Sequence, residues 1–138
     1  MNSLLFYTIV MALCFQQEQA IDLHDLRWSF RIICIEAKEK SLTEQQITEI
    51  YKNKKDIDER KLKIFAKINN EYFEGYPLKK IPDVKNFPVN KINHYFSITV
   101  IGLDGGVKGL WQRLIKPTEV YNLIDTMPMR ITEMRNGK

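Results

Sequence analysis

Two cysteines, Cys14 and Cys34, and two histidines, His24 and His94, are the obvious carriers of nucleophilic, redox or metal chemistry in this sequence. So few of each exclude a disulfide scaffold, a four-cysteine zinc site and a histidine-rich metal centre. Cys34 stands between Ile33 and Ile35 in the apolar run RIICIEA, Arg31 to Ala37. A reactive cysteine is a thiolate, and thiolates form in exposed, electropositive surroundings. Cys34 therefore reads as an inert core thiol. The alternative is a divergent, peroxiredoxin-like redox cysteine. His24 beside Asp25 reads as an exposed turn, because adjacent side chains rarely converge on one proton. His94 with Tyr95 precedes an apolar strand, where sheet ends often place ligand contacts, and is kept as a binding candidate.

Lys79, Lys80, Lys85 and Lys91, interleaved with Tyr76 and Phe87, suit an anionic partner such as a glycan; a solvated basic loop is the alternative. Gly102, Gly105 and Gly106 around Asp104 resemble a phosphate cradle in composition only. No helix follows them directly, as a phosphate loop requires, so Asp104-Gly105-Gly106 reads as a hairpin turn. Met127, Met129 and Met134 carry soft thioethers, but no His or Cys stands beside them, and they read as packing for a terminal helix. Neither a metal nor a cofactor is expected.

The elements that must position these residues belong to a chain of 138 residues, 44% hydrophobic and 28% charged, which is one globular domain rather than a disordered chain. Its net charge of +4 permits contact with anionic surfaces without demanding it. Leu4 to Phe15 is an apolar run too short to cross a bilayer as a helix, and small Ala20 ends the polar stretch behind it. Residues 1–20 are expected to be a signal peptide, and residues 21–138 a single domain. The mature protein is then secreted or periplasmic, without a stable membrane anchor and away from nucleic acid. A buried N-terminal helix or strand is the alternative.

Arg31 to Ala37 is expected as a strand covered on both faces, hence central. Ser41 and Glu44 frame a capping box for a helix whose inner face holds Thr43, Ile47, Ile50 and Tyr51. Asn53 to Arg60 reads as a charged turn. Leu62, Ile64, Ala66 and Ile68 alternate with residues that include Lys61, Lys63 and Lys67, the pattern of a lysine-protected edge strand. Asn69 to Asn93, with Pro77, Pro82 and Pro88, reads as a long loop with at most a short helix near Val84 or Lys91. Tyr95 to Leu103 and Val107 to Leu114 form a hairpin. Pro117 opens a final helix with the stripe Val120, Leu123, Ile124 and Met127, and Pro128 stops or kinks it. This order predicts an α/β, thioredoxin-like fold: a central mixed four-stranded sheet, three strands parallel and the last antiparallel, flanked by helices.

Three stretches carry a family resemblance. They are Val100 to Lys108, which includes Gly102, Asp104, Gly105, Gly106 and Lys108; Leu123 to Arg130, which includes Asp125, Met127, Pro128, Met129 and Arg130; and Glu133-Met134-Arg135. Leu26-Arg27-Trp28 followed by Arg31, and Glu59-Arg60, add to it. Over roughly residues 21–135 the chain resembles the DUF4174 domain family, found in small exported bacterial proteins and in animal sushi-repeat-containing and related matrix proteins. The resemblance implies a thioredoxin-like, peroxiredoxin-related fold, an extracytoplasmic location and no established activity. It favours a non-catalytic binding or interaction module. Ala37-Lys38-Glu39-Lys40-Ser41, where such a fold would carry its reactive cysteine, has none, and no proline stands before the Tyr95 strand. Arg130, Glu133 and Arg135 are expected to form an ion-pair network that fixes the tail.

Overall fold

An apolar strand is stable in the middle of a sheet only when both of its faces are covered, and Arg31–Ala37 is covered on both. The structure, a computed structural model, describes residues 19–90 and 95–137. In chain order the elements are β1 (Ile21–Asp22), a 3-10 helix (Leu23–Leu26), β2 (Arg31–Ala37), α1 (Lys40–Tyr51), α2 (Lys54–Glu59) and β3 (Leu62–Ile68). Then follow β4 (Glu71–Glu74), β5 (Lys79–Ile81), β6 (Val84–Lys85), β7 (Phe96–Ile101), β8 (Val107–Trp111), α3 (Pro117–Asp125) and α4 (Pro128–Arg135). Residues 1–18 of the expected signal segment, Lys91 and His94 lie outside the described residues.

The fold is mixed α/β, with helices packed on a six-stranded sheet of order β5-β4-β3-β2-β7-β8 rather than a four-stranded one. β2 is central, as its composition requires, and it runs parallel to β3 through the expected strand–helix–strand unit. β7 is antiparallel to β2, so the expectation of three parallel strands fails. The reason is where the chain is left by the preceding hairpin. β4 and β5 reverse the chain twice, and β5 ends beside Tyr72 and Lys67, level with the C-terminal end of β2. A strand entered from that end runs antiparallel to β2. The expected long loop between Asn69 and Asn93 is therefore largely strands: β4, β5, and β6, which pairs in parallel with β1. Short, half-polar strands between prolines give no periodic signal.

β3 is not the sheet edge, since β4 and β5 lie beyond it. Its lysines stand on the more thinly covered face instead. Lys63 Nζ lies 4.5 Å from the Phe30 ring centre, and Lys67 Nζ lies 3.7 Å from Glu36 Oε1. On that face Ile32, Cys34 and Phe65 are roofed by Leu23, Val84 and Phe87. The opposite face is the main core, where Ile33, Ile35, Ile64, Ala66, Ile98 and Val100 meet Ile47, Ile50, Ile57, Val120 and Ile124 from the helices. Each such aliphatic side chain contributes about 2 kcal/mol on burial.

Local chemistry differs from expectation at three helix ends. α1 starts two residues early, after extended Glu39, so the Ser41–Glu44 box does not form; the Thr43 hydroxyl instead donates to Glu39 O at 3.5 Å. Gln46, buried in α1, clasps the chain ahead of α3: its Nε2 donates to Ile115 O at 3.0 Å, and Ile115 N–H donates to its Oε1 at 2.9 Å. Asn53 to Arg60 contains the short helix α2 rather than a turn. Pro117 opens α3 as expected, but Pro128 both follows its end and opens α4, because proline suits the first helical position.

Candidate ligand-binding cleft

The residues that carry the family resemblance converge on one end of the sheet, at the N-terminal end of β2. A half-open cleft of about 430 Å³ lies there, between the β7–β8 turn and the α3–α4 junction. Gly102, Leu103, Asp104 and Lys108 line it from the turn; Thr126, Met127, Pro128 and Met129 line it from the helices; Arg31 completes it.

The turn wall is fixed by its own hydrogen bonds. Gly102 N–H donates to Gly106 O at 2.9 Å, and Gly105 N–H donates to Gly102 O at 3.0 Å. Gly105 is at φ +82°, a conformation that glycine adopts without penalty. Asp104 accepts from Gly106 N–H at 2.9 Å and from Lys108 Nζ at 2.8 Å. The Lys108 ammonium and then the Gly106 amide hold its carboxyl below the usual range. A methyl group on Gly102 would lie 2.7 Å from Lys108 Cε, so its lack of a side chain lets Lys108 lie along the turn. The Leu26–Trp28 segment supports the turn from outside, with Trp28 N–H donating to Leu103 O at 2.7 Å. That contact explains why the two separated parts of the resemblance belong together.

The helix wall rests on a part-buried charge network. Arg31 Nη1 donates to Arg60 O at 3.0 Å and to Glu133 Oε2 at 3.1 Å. Arg60 grips Asp125 in a bidentate pair, Nε to Oδ1 at 3.1 Å and Nη2 to Oδ2 at 2.7 Å. Arg130 Nε reaches the same Asp125 at 3.2 Å, and its Nη1 donates to Glu59 O at 2.9 Å. Burial works to raise the Asp125 carboxyl, but the hydrogen bonds from Arg60 and Arg130 outweigh it and hold the carboxyl below its ordinary value. The expected tail network thus exists in Arg130 and Glu133, but it is built inward on Arg31, Arg60 and Asp125, while Arg135 is exposed. Arg31 was the residue that spacing alone underrated; a lone charge heading an apolar strand was its signal.

The other candidates are dispersed. Lys79 and Lys80 lie on edge strand β5, where Lys80 Nζ donates to Glu71 Oε1 at 2.9 Å. Lys85 is on β6, in the separate two-stranded sheet. Tyr95, exposed, is held at the opposite end of β2 from the cleft: its carbonyl accepts from Lys38 N–H at 3.0 Å, and Lys38 Nζ lies 4.7 Å from its ring centre. Cys34 is buried under Leu23, Val84 and Phe87, and burial pushes its thiol strongly upward. Among the described residues no thiol stands where β2 leads into α1.

No curated protein and no solved structure gives a significant match to the chain. A family model described as Domain of unknown function (DUF4174) matches residues 22–133. That span runs from the Asp22 strand to Glu133, the partner of Arg31, and so contains the whole cleft and the network behind it; the chain belongs to the DUF4174 family.

Proposed function

We propose that this chain is an exported, non-catalytic binding module on a thioredoxin-like scaffold, with the cleft beside Arg31 as its site and an acidic group on its partner. The observation that carries the reading is the separation of chemistry from construction. The resemblance-bearing residues build an open cleft at one end of β2, while Cys34 is sealed in the core as a protonated thiol. The strand–helix–strand unit followed by the β7–β8 hairpin and α3, in the order β3-β2-β7-β8, supports the scaffold assignment. β4 and β5 are then an edge extension. The Leu4 to Phe15 run and Ala20 support export.

Two measurements test this. Alkylation of native protein, read on the Cys34 peptide by mass spectrometry, is expected to be far slower than in a denatured control. Equal rates would overturn the module and favour a peroxiredoxin-like redox role. The exported protein is expected to begin near Ile21; an intact Met1 in the cytoplasm would overturn the export assignment.

A further inference from the structure

We infer that Arg27 and Trp28, on the outer side of the β7–β8 turn and away from the cleft, bind a glycan that carries uronate carboxylates. The first observation is the backbone of Trp28. It is held at φ +67°, a conformation that a bulky residue rarely adopts, and its side chain is 65% exposed. Packing therefore does not hold this ring outward. The chain does, through Trp28 N–H to Leu103 O at 2.7 Å and Ser29 N–H to Leu26 O at 3.1 Å. Strain of this kind is kept where a displayed group has a use.

The second observation is the guanidinium beside it. Arg27 Nε donates to His24 O at 3.2 Å, and the side chain lies across Gly105, where a methyl group would meet its Cδ at 2.6 Å. The group is thus seated, yet among the described residues no carboxylate pairs with it, although Asp25 is close in the chain and exposed. Its Nη edge is left for a planar, bidentate acceptor. Two positions on, Phe30 repeats the combination. Exposed Lys63 holds its Nζ 4.5 Å from the Phe30 ring centre, again without an acid among the described residues. Many of the other cations, such as Lys61, Lys67, Lys80, Lys108 and Arg113, are paired.

These surroundings narrow the partner. Trp28 is flanked by exposed His24, Asp25, Arg27 and Ser29, not by the apolar ring that desolvates a protein hot spot. A sugar ring needs only a flat aromatic face against its C–H side, with polar groups around it. Two unpaired cations, each next to an aromatic ring, match a polymer with spaced single charges. They are too few for a densely sulfated one.

The test is calorimetric titration of the full chain with hyaluronan octasaccharide, maltooctaose, polyglutamate or a heparin octasaccharide. Hyaluronan is expected to bind saturably and at least about tenfold more tightly than the other three. Arg27→Gln and, separately, Trp28→Gly are each expected to weaken it at least about tenfold. Trp28→Gly is expected to do so with an unchanged or raised thermal midpoint, since glycine adopts the positive φ freely. A merely structural tryptophan would instead lower the midpoint. No saturable heat, any other ligand binding as tightly as hyaluronan, or full affinity in either variant would overturn the inference.

Discussion

Arg31 and Glu133 are separated by 102 positions in the chain, yet Nη1 of the first donates to Oε2 of the second at 3.1 Å. The pair ties the start of the central strand to the last helix, with 1% and 11% of the two side chains exposed. Lys61 and Arg130 add cations around the same carboxylate. Removing one member of a buried pair leaves the other charged and poorly solvated, which costs more than the intact pair contributes.

Glu133→Gln is therefore expected to destabilise the protein by about 3 kcal/mol. Arg31→Met with Glu133→Leu is expected to cost clearly less than the sum of the two single changes. Urea unfolding of the wild type, Arg31→Met, Glu133→Leu and the double variant measures this in a double-mutant cycle. Additive losses would show that the pair does not act as a unit.

The Asp125 carboxyl carries a pH signature. It is held below its ordinary value of 3.8 because the Arg60 and Arg130 bonds overcome the effect of burial. A group depressed in the folded state contributes stability that is complete above the unfolded value and lost as pH falls through the folded one. Urea midpoints are expected to drop between about pH 5 and pH 2, and the drop is expected to shrink in Asp125→Asn. An unchanged acid limb in that variant would remove Asp125 from the account.

Gly105 and Gly75 separate backbone strain from contact. Both have positive φ, +82° and +69°. A methyl group on Gly105 meets Arg27 Cδ at 2.6 Å, whereas one on Gly75 meets nothing within 4 Å. Gly75→Ala is expected to cost about 1 kcal/mol from conformation alone. Gly105→Ala is expected to cost more and also to disturb the turn that walls the cleft. Thermal unfolding checks both; equal costs would mean that Arg27 yields freely.

Cys34→Ser places a hydroxyl among Ile32, Phe65 and Leu23. The expected loss, measured by urea unfolding, is about 1–3 kcal/mol. A variant of unchanged stability would show that this face of the sheet is wetter than its packing indicates.

How much of this was legible beforehand depends on the range of the interaction. Arg31 to Ala37 had to be a central strand, because an unbroken apolar run must be covered twice; β2 is so covered. The alternation from Leu62 to Ile68 showed which residues of that strand face the helices, and Asp104-Gly105-Gly106 marked the hairpin, since both are local properties of neighbouring residues. The capping box at Ser41 failed because the exit of β2 set where the helix begins. The lysines of β3 misled because the same alternation serves an edge or a thinly covered face, and only β4 and β5 decide between them.

The site was half visible. The sequence by itself determined the family, the central strand, the turn and the burial of Cys34, all of them carried by contiguous residues. The tertiary structure alone decided that the glycine turn, which no helix follows directly in the chain, faces the start of α4 across a cleft, and that Arg31 lies between them with Glu133 behind it. No local rule contains that arrangement. It depends on β7 running antiparallel to β2 and on a charge pair closed over most of the chain, contacts whose energies appear only when the whole sheet and its helices are assembled.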